Sequence, residues 1–222
     1  MPQNRNPKLY SVITGDIIKS SKLSIEMHKK LVKVLRNCSK EVSKVFTGAL
    51  KYEPELFRGD SWQLLIQKPE KALSIALFYR AYLKANLMVN KIDARMAISV
   101  GTVDYIESSA GVGDAYKISG KALDKKGKPK IKFVSEVIKN PEVIDLIVYN
   151  SDFISSRWTR NQSKIILLAL QKYDQNKIAL KLKISQQAVS KQLDSTGWNI
   201  ISNNIEFFTN ALLRNNRNII SK

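Results

Sequence analysis

The sequence predicts an α+β protein, in which a ferredoxin-like palm domain of element order β-α-β-β-α-β precedes a small all-α domain. Two observations lead to this fold class. Short apolar runs alternate with longer segments whose apolar residues recur at helical spacing, and beyond about residue 150 only helical patterns remain. We therefore expect a palm domain over residues 1–150 and a helix-turn-helix domain over residues 151–222.

Each palm element follows from its local pattern. Apolar runs that end at Gly or Asp predict strands, and a Gly-Asp pair between two such runs predicts a hairpin. Apolar residues three and four positions apart predict helices. The elements are expected at 8–14 (strand), 23–46 (helix), 55–58 and 61–66 (hairpin), 69–89 (helix), 93–100 (strand), 113–124 (helix), 131–134 (strand) and 141–149 (helix).

The charge of the chain points to a polyanionic partner. The sequence has 37 Lys and Arg against 19 Asp and Glu, a net charge of +18. Such a field attracts polyanions, of which nucleic acid is the commonest. The alternative is a solvated basic surface in a chain rich in Lys, Asn and Ile.

Several protein classes are excluded by composition. One cysteine, Cys38, cannot form an internal disulfide, and one histidine, His28, leaves too few ligands for the usual zinc sites. No apolar run approaches the ~20 residues of a membrane span, and the first residues lack the apolar core of a signal peptide. We expect a cytoplasmic protein without membrane contact.

The last third of the chain contains a helix-turn-helix pattern between Asn176 and Leu193. Ala179 gives close helix packing and Ser185 is a suitable N-cap, whereas Lys183 stands where Gly is frequent at the turn. This stretch resembles the helix-turn-helix of LuxR-type regulators and of sigma-factor region 4. The resemblance implies double-stranded DNA as the partner. The candidate DNA contacts are Ser185, Gln186, Gln187, Ser190 and Lys191. A helical bundle that only contacts protein is the alternative.

A metal site is predicted where the first strand ends. In a β-α-β-β-α-β palm this end adjoins the central hairpin turn, so Asp16 and Asp60 should approach each other. Two neighbouring carboxylates suit Mg²⁺ or Mn²⁺ bound to a nucleotide triphosphate. The structural alternative is that Asp60 only makes the turn and Asp16 only caps the next one.

The segments 13–21, 56–66 and 94–123 resemble the catalytic domain of class III nucleotide cyclases, and GDSWQ, DAR, GTVDY and SGKAL resemble SatD-like bacterial proteins more closely. The cyclase resemblance implies phosphate-binding positions at Lys117 and Lys121, and the alternation of side chains along the hairpin predicts that Arg58 points toward the same phosphates. Arg95, at the start of its strand, is a further candidate. Lys117 departs from the Asn that cyclases carry there, which puts cyclisation in doubt.

The leading functional interpretation is a DNA-binding transcription regulator with a catalytically degenerate palm, which senses a nucleoside triphosphate or cyclic nucleotide or supports dimerisation. The alternative is a nucleotidyl cyclase or a related metal-dependent nucleotidyltransferase. Both kinds of module commonly act as dimers, so the sequence leaves a homodimer open.

Overall fold

The computed structural model describes residues 8–57, 59–87, 92–106, 111–125, 127 and 129–220, with the backbone alone for 216–220. The prediction of an α+β protein is confirmed. The elements are β1 (Tyr10–Ile17), α1 (Ile25–Val45), β2 (Glu55–Phe57), β3 (Ser61–Ile66), α2 (Ala72–Asn86), β4 (Ala94–Gly101), β5 (Tyr105–Ile106), β6 (Gly111–Val112), α3 (Asp114–Asp124), β7 (Ile131–Ser135), α4 (Pro141–Ser155), α5 (Arg160–Leu170), α6 (Gln175–Leu182), α7 (Gln186–Ser195) and α8 (Trp198–Ile220). Over these ranges, no helix combines the length and apolarity needed to cross a membrane.

The main sheet has the strand order β2-β3-β1-β4-β7, and the first six major elements follow the order β-α-β-β-α-β. β1 lies in the middle and pairs antiparallel with β3 and β4, whereas β7 extends the sheet parallel to β4. β1 is longer than predicted because Gly15 and Asp16 continue the pairing on both sides.

The two faces of the sheet are covered differently. Ile13 and Leu64 face the main core with buried residues of α1 and α2, such as Leu35 and Phe78. On the opposite face, α3 packs over β1 and β4 and buries a smaller cluster around Val12 and other apolar side chains. Asp16, two residues after Thr14 on β1, also projects to this second face, at the end of the strand.

The C-terminal helices pack onto the palm. The main core includes Ile166 of α5 and Phe208 of α8 together with the sheet residues. Trp158, just before α5, is buried, and its indole N–H donates to the carbonyl of Thr196 (2.9 Å). The boundary expected at Asn150 lies inside α4, which continues to Ser155.

A buried ion network joins α2 to α4. The guanidinium of Arg80 is fully buried and donates to Asp93, to Asp152 and to the hydroxyl of Ser155. Lys130 adds a second cation on Asp93 (2.8 Å). Because buried charges are costly unless they are paired, this network fixes the position of α4 against the palm.

Helices α6 and α7 are joined by a tight turn. Lys183 ends α6 with a left-handed backbone (φ 55°), which is the conformation that Gly usually supplies. Ser185 begins α7 by accepting a hydrogen bond from the backbone N–H of Ala188 (3.2 Å). Val189 and Leu193 are the buried residues of α7.

Candidate functional site

Asp16 and Asp60 lie on neighbouring strands at one end of the sheet. Asp16 pairs with Ser61 across the β1–β3 ladder, so Asp60 is one residue beyond that pair. The backbone N–H of Ile17 donates to the carbonyl oxygen of Asp60 (3.1 Å). Both aspartates are partly exposed. The chain reverses before Asp60 through Gly59, whose φ of +78° favours glycine.

The carboxylate of Asp16 has an arginine partner. Arg95 faces Asp16 across the β1–β4 ladder, and its guanidinium binds both carboxylate oxygens, with Nε 2.9 Å from Oδ1 and Nη2 on Oδ2. The hydrogen bond to Asp16 is the main cause that raises the pKa of Arg95 above its ordinary value, and the charge of Asp124 adds to it. Both side chains keep some solvent contact, 24% for Arg95 and 21% for Asp16.

Asp60 is held by hydroxyl groups. The hydroxyl of Ser20 donates to Oδ2 (2.5 Å) and that of Ser61 to Oδ1 (3.3 Å). Ser20 follows Lys19, whose left-handed backbone (φ 62°) turns the chain back after β1. His28 of α1 lies beside Gly59, so the single histidine is next to this turn. Sequence patterns alone gave no reason to place Ser20 or His28 here.

Close packing fixes the strand just before Asp16. A Cβ on Gly15 would lie 2.4 Å from the indole of Trp62, so a larger residue here would force that ring to shift. Trp62 is buried and stacks on Tyr79 of α2, with 5.3 Å between ring centroids. The TGD sequence therefore combines a glycine for packing with an aspartate that projects to the other face.

A short polar chain runs behind Asp16 on the α3 face. The amide of Gln63 donates to Thr14 Oγ1 (3.1 Å), which is 2.9 Å from the hydroxyl of Ser119 on α3. These contacts anchor α3 to the centre of the sheet.

Two of the predicted phosphate-binding residues lie on α3. Lys117 and Lys121 are exposed on the outer side of α3. Lys121 lines a groove between α3, β7 and α4 that also contains the acidic residues Glu142 and Asp145. Arg58 lies outside the described residues.

The donor chemistry at Asp16 and Asp60 fits a hard divalent cation. Within the described ranges no cluster of three or more His, Cys, Asp or Glu side chains could hold a metal ion. Mg²⁺, however, commonly takes one or two carboxylates together with substrate phosphates. Because Arg95 already binds both oxygens of Asp16, a cation at this position would compete with the guanidinium.

The residues predicted to contact DNA are on the surface of α7 and its N-cap. Ser185, Gln186, Gln187 and Lys191 are exposed, and Ser190 is partly exposed. Ser185 already caps α7, and the Gln186 amide donates to Gln175 of α6 (2.6 Å). The capping serine and the polar residues that suggested a DNA-recognition helix are thus equally typical of a capped helix on the protein surface.

The geometry defines an α+β protein with a five-stranded mixed sheet, at one end of which Asp16 and Asp60 lie on neighbouring strands. The SatD family model matches residues 10–212, so the chain belongs to the SatD family. No curated protein matches the chain.

The fold is also similar to solved cyclase structures. A bacterial light-regulated adenylyl cyclase is 20% identical with a TM-score of 0.43, covering 60% of this chain. A guanylyl cyclase domain of the RhoGC fusion protein from the aquatic fungus Blastocladiella emersonii is 18% identical with a TM-score of 0.45, covering 57% of this chain and 81% of its own. The guanylyl cyclase Cya2 is 19% identical with a TM-score of 0.37, covering 51% of this chain and 68% of its own. The chain spans 45% of the light-regulated enzyme. These similarities are too low to transfer an activity.

The interpretation as a DNA-binding transcription regulator with a degenerate palm is wrong. The family match runs over residues 10–212 and so includes the helices expected to form a separate regulatory module. A net charge and a capped turn between two short helices are not specific to DNA recognition, so no DNA contact is assigned to α7.

Proposed function

We propose that this chain is a metal-dependent nucleotidyl cyclase or a related nucleotidyltransferase, with its site where β1 ends beside the β2–β3 turn. The observation that supports this proposal is the adjacent placement of Asp16 and Asp60, both partly exposed. Two carboxylates on neighbouring strands suit Mg²⁺ or Mn²⁺ in company with phosphate oxygens. The substrate class is therefore a nucleoside triphosphate, and a cyclase would release a cyclic nucleotide.

Arg95 exchanges partners in this proposal. Its guanidinium fork fits a phosphate as well as the carboxylate of Asp16. The ion pair is partly exposed, and pairs in contact with water contribute only about 0–1 kcal/mol, so the exchange costs little. Arg95 then neutralises phosphate charge while Asp16 and Asp60 hold the cation. A bound divalent cation would stabilise the negative charge that develops on the phosphoryl oxygens.

In this proposal Lys121 and Arg58 neutralise the remaining phosphate charge, together with Lys117, which is four residues before Lys121 on α3. Lys121 is one turn before Asp124, the residue whose charge acts on Arg95, so the end of α3 is near the site. All the residues of the proposed site lie within residues 1–150, to which we assign the activity.

The test is direct. The purified chain is incubated with ATP or GTP and with Mg²⁺ or Mn²⁺, and the nucleotide products are separated and identified by mass. We expect a cyclic nucleotide or another product that requires release of pyrophosphate. Asp60→Asn should abolish it and keep the fold, because Asn also tolerates a turn.

The matched control is Asp194→Asn, which changes an exposed carboxylate on α7 far along the chain from the site. This variant should keep full activity. The proposal fails if neither nucleotide gives product with either metal, or if Asp60→Asn is as active as the unmodified chain.

A further inference from the structure

An exposed surface is formed by α4 and α8, which pack side by side in opposite directions. At one end the backbone N–H of Lys139, just before α4, donates to Asn215 of α8 (3.0 Å). At the other end Ile154 of α4 lies against Gly197, just before α8. The two helices therefore present one common outer face.

Large apolar side chains occupy this face. They are 43–65% exposed: Val143, Leu146, Tyr149 and Phe153 on α4, and Ile200 and Phe207 on α8. Residues three, seven and ten positions apart share one side of a helix, so each helix has an apolar stripe. Asn150 lies within the α4 stripe and accepts a hydrogen bond from Asn204 of α8 (2.8 Å), which places the two stripes next to each other. Contiguous apolar patches of this kind mark interaction surfaces.

The distribution of charge indicates the partner. Lys and Arg make up 37 of 222 residues, yet residues 141–156 and 198–213 contain none where about five would be expected at that frequency. Arg157 bounds the face, with its guanidinium 3.5 Å from the ring centroid of Phe153. Two chains of charge +18 repel each other over most of their surface, and a face without lysine or arginine allows a close approach.

We propose that two copies of this chain associate through the α4–α8 face. The four helices would pack about a twofold axis, as in a four-helix bundle, with the apolar stripes at its centre. A basic partner protein would be expected to meet a cluster of acidic side chains, whereas 141–156 and 198–213 expose only Glu142 and Glu206 beside the larger set of apolar side chains. The proposal does not depend on the activity of the aspartate site.

Sedimentation equilibrium of the full chain over about 1–200 µM tests the association, since a dimer shows concentration-dependent mass. We expect a dimer whose dissociation constant falls as NaCl rises from about 0.1 to 0.5 M, because salt screens the repulsion between the copies. Leu146→Glu and, on the other helix, Phe207→Glu should each raise the dissociation constant at least ~10-fold, because every substitution occurs twice in a twofold interface.

The matched control is Leu180→Glu, at a leucine of α6 that is 79% exposed and lies outside the face. It should leave the dissociation constant unchanged, and circular dichroism should show that all three variants are folded. A chain that stays monomeric throughout overturns the proposal. So does a dimer that Leu180→Glu weakens as much as Leu146→Glu, or one that salt dissociates.

Discussion

A substitution at Asp152 tests how α4 is attached to the palm. Its carboxylate accepts hydrogen bonds from Arg80 Nη1 (2.7 Å) and from the backbone N–H groups of Lys130 (3.1 Å) and Ile131 (3.2 Å). All of these partners are donors. Asp152→Asn keeps the size of the side chain but turns an N–H₂ group toward a donor and leaves Arg80 with one carboxylate instead of two.

The expected loss follows from burial. The side chains of Arg80 and Asp152 are 0% and 9% exposed, so water cannot replace the lost partner. Breaking a buried ion pair from one side costs about 3–5 kcal/mol. Asp93 still pairs with Arg80, so we expect the lower end, about 3 kcal/mol in the free energy of unfolding. For a chain of this size that corresponds to a fall in Tm of roughly 6–12 °C.

Urea unfolding, followed by circular dichroism and tryptophan fluorescence, measures this difference. Glu41→Gln is the control, because its ion pair with Lys44 is 2.9 Å long but exposed. Exposed pairs contribute about 0–1 kcal/mol, so this variant should be close to the unmodified chain. If Asp152→Asn is no more destabilising than Glu41→Gln, the network does not anchor α4 and the reasoning is refuted.

Three further predictions concern the fold. Burial alone would raise the pKa of Asp93, but Arg80 and Lys130 more than offset it and hold the pKa below its ordinary 3.8. The ionised Asp93 therefore contributes fully to the free energy of unfolding above about pH 4, and this contribution is lost as the pH falls through the folded-state pKa. Unfolding measured at decreasing pH should show a loss of stability that is smaller in Asp93→Asn. Gly15→Ala should cost about 1–3 kcal/mol in urea unfolding, since its methyl group overlaps Trp62; an unchanged midpoint would show that the ring can move. Thr159→Ala removes the capping box at the start of α5 and should lower the free energy of unfolding in urea by about 1 kcal/mol. An unchanged free energy would show that water replaces the cap.

The order of the elements could be predicted because each palm strand is a short apolar run and each helix repeats its apolar residues at helical spacing. The element ends were less predictable. Gly15 and Asp16 resemble a strand stop, yet partners on both sides continue the ladder through them. The β5–β6 pair was missed because each strand has two residues, too few for a pattern.

The site could be predicted only in part. The proximity of Asp16 and Asp60 follows from topology, since the end of a central strand adjoins the turn of its neighbour. The pairing of Asp16 with Arg95 needs the β1–β4 register, which no local pattern supplies. The buried role of Arg80 could not be predicted from the sequence for another reason. A single arginine in a helical pattern suggests a solvent-facing position, whereas α2 is buried on nearly all sides and the partner Asp152 is distant in sequence.

The ion network also connects α4 to the chain segments next to the candidate site. Asp93 binds Arg80 with its side chain, while its backbone carbonyl accepts from the N–H of Ile18 (2.9 Å). Ile18 is two residues after Asp16, and Asp93 is two residues before Arg95, so both members of the Asp16–Arg95 pair are next to segments that the network holds. Because α4 supplies Asp152 to the same guanidinium, displacement of α4 would alter the start of β4 and the end of β1 together. We therefore expect α4 to help hold the Asp16–Arg95 pair in position.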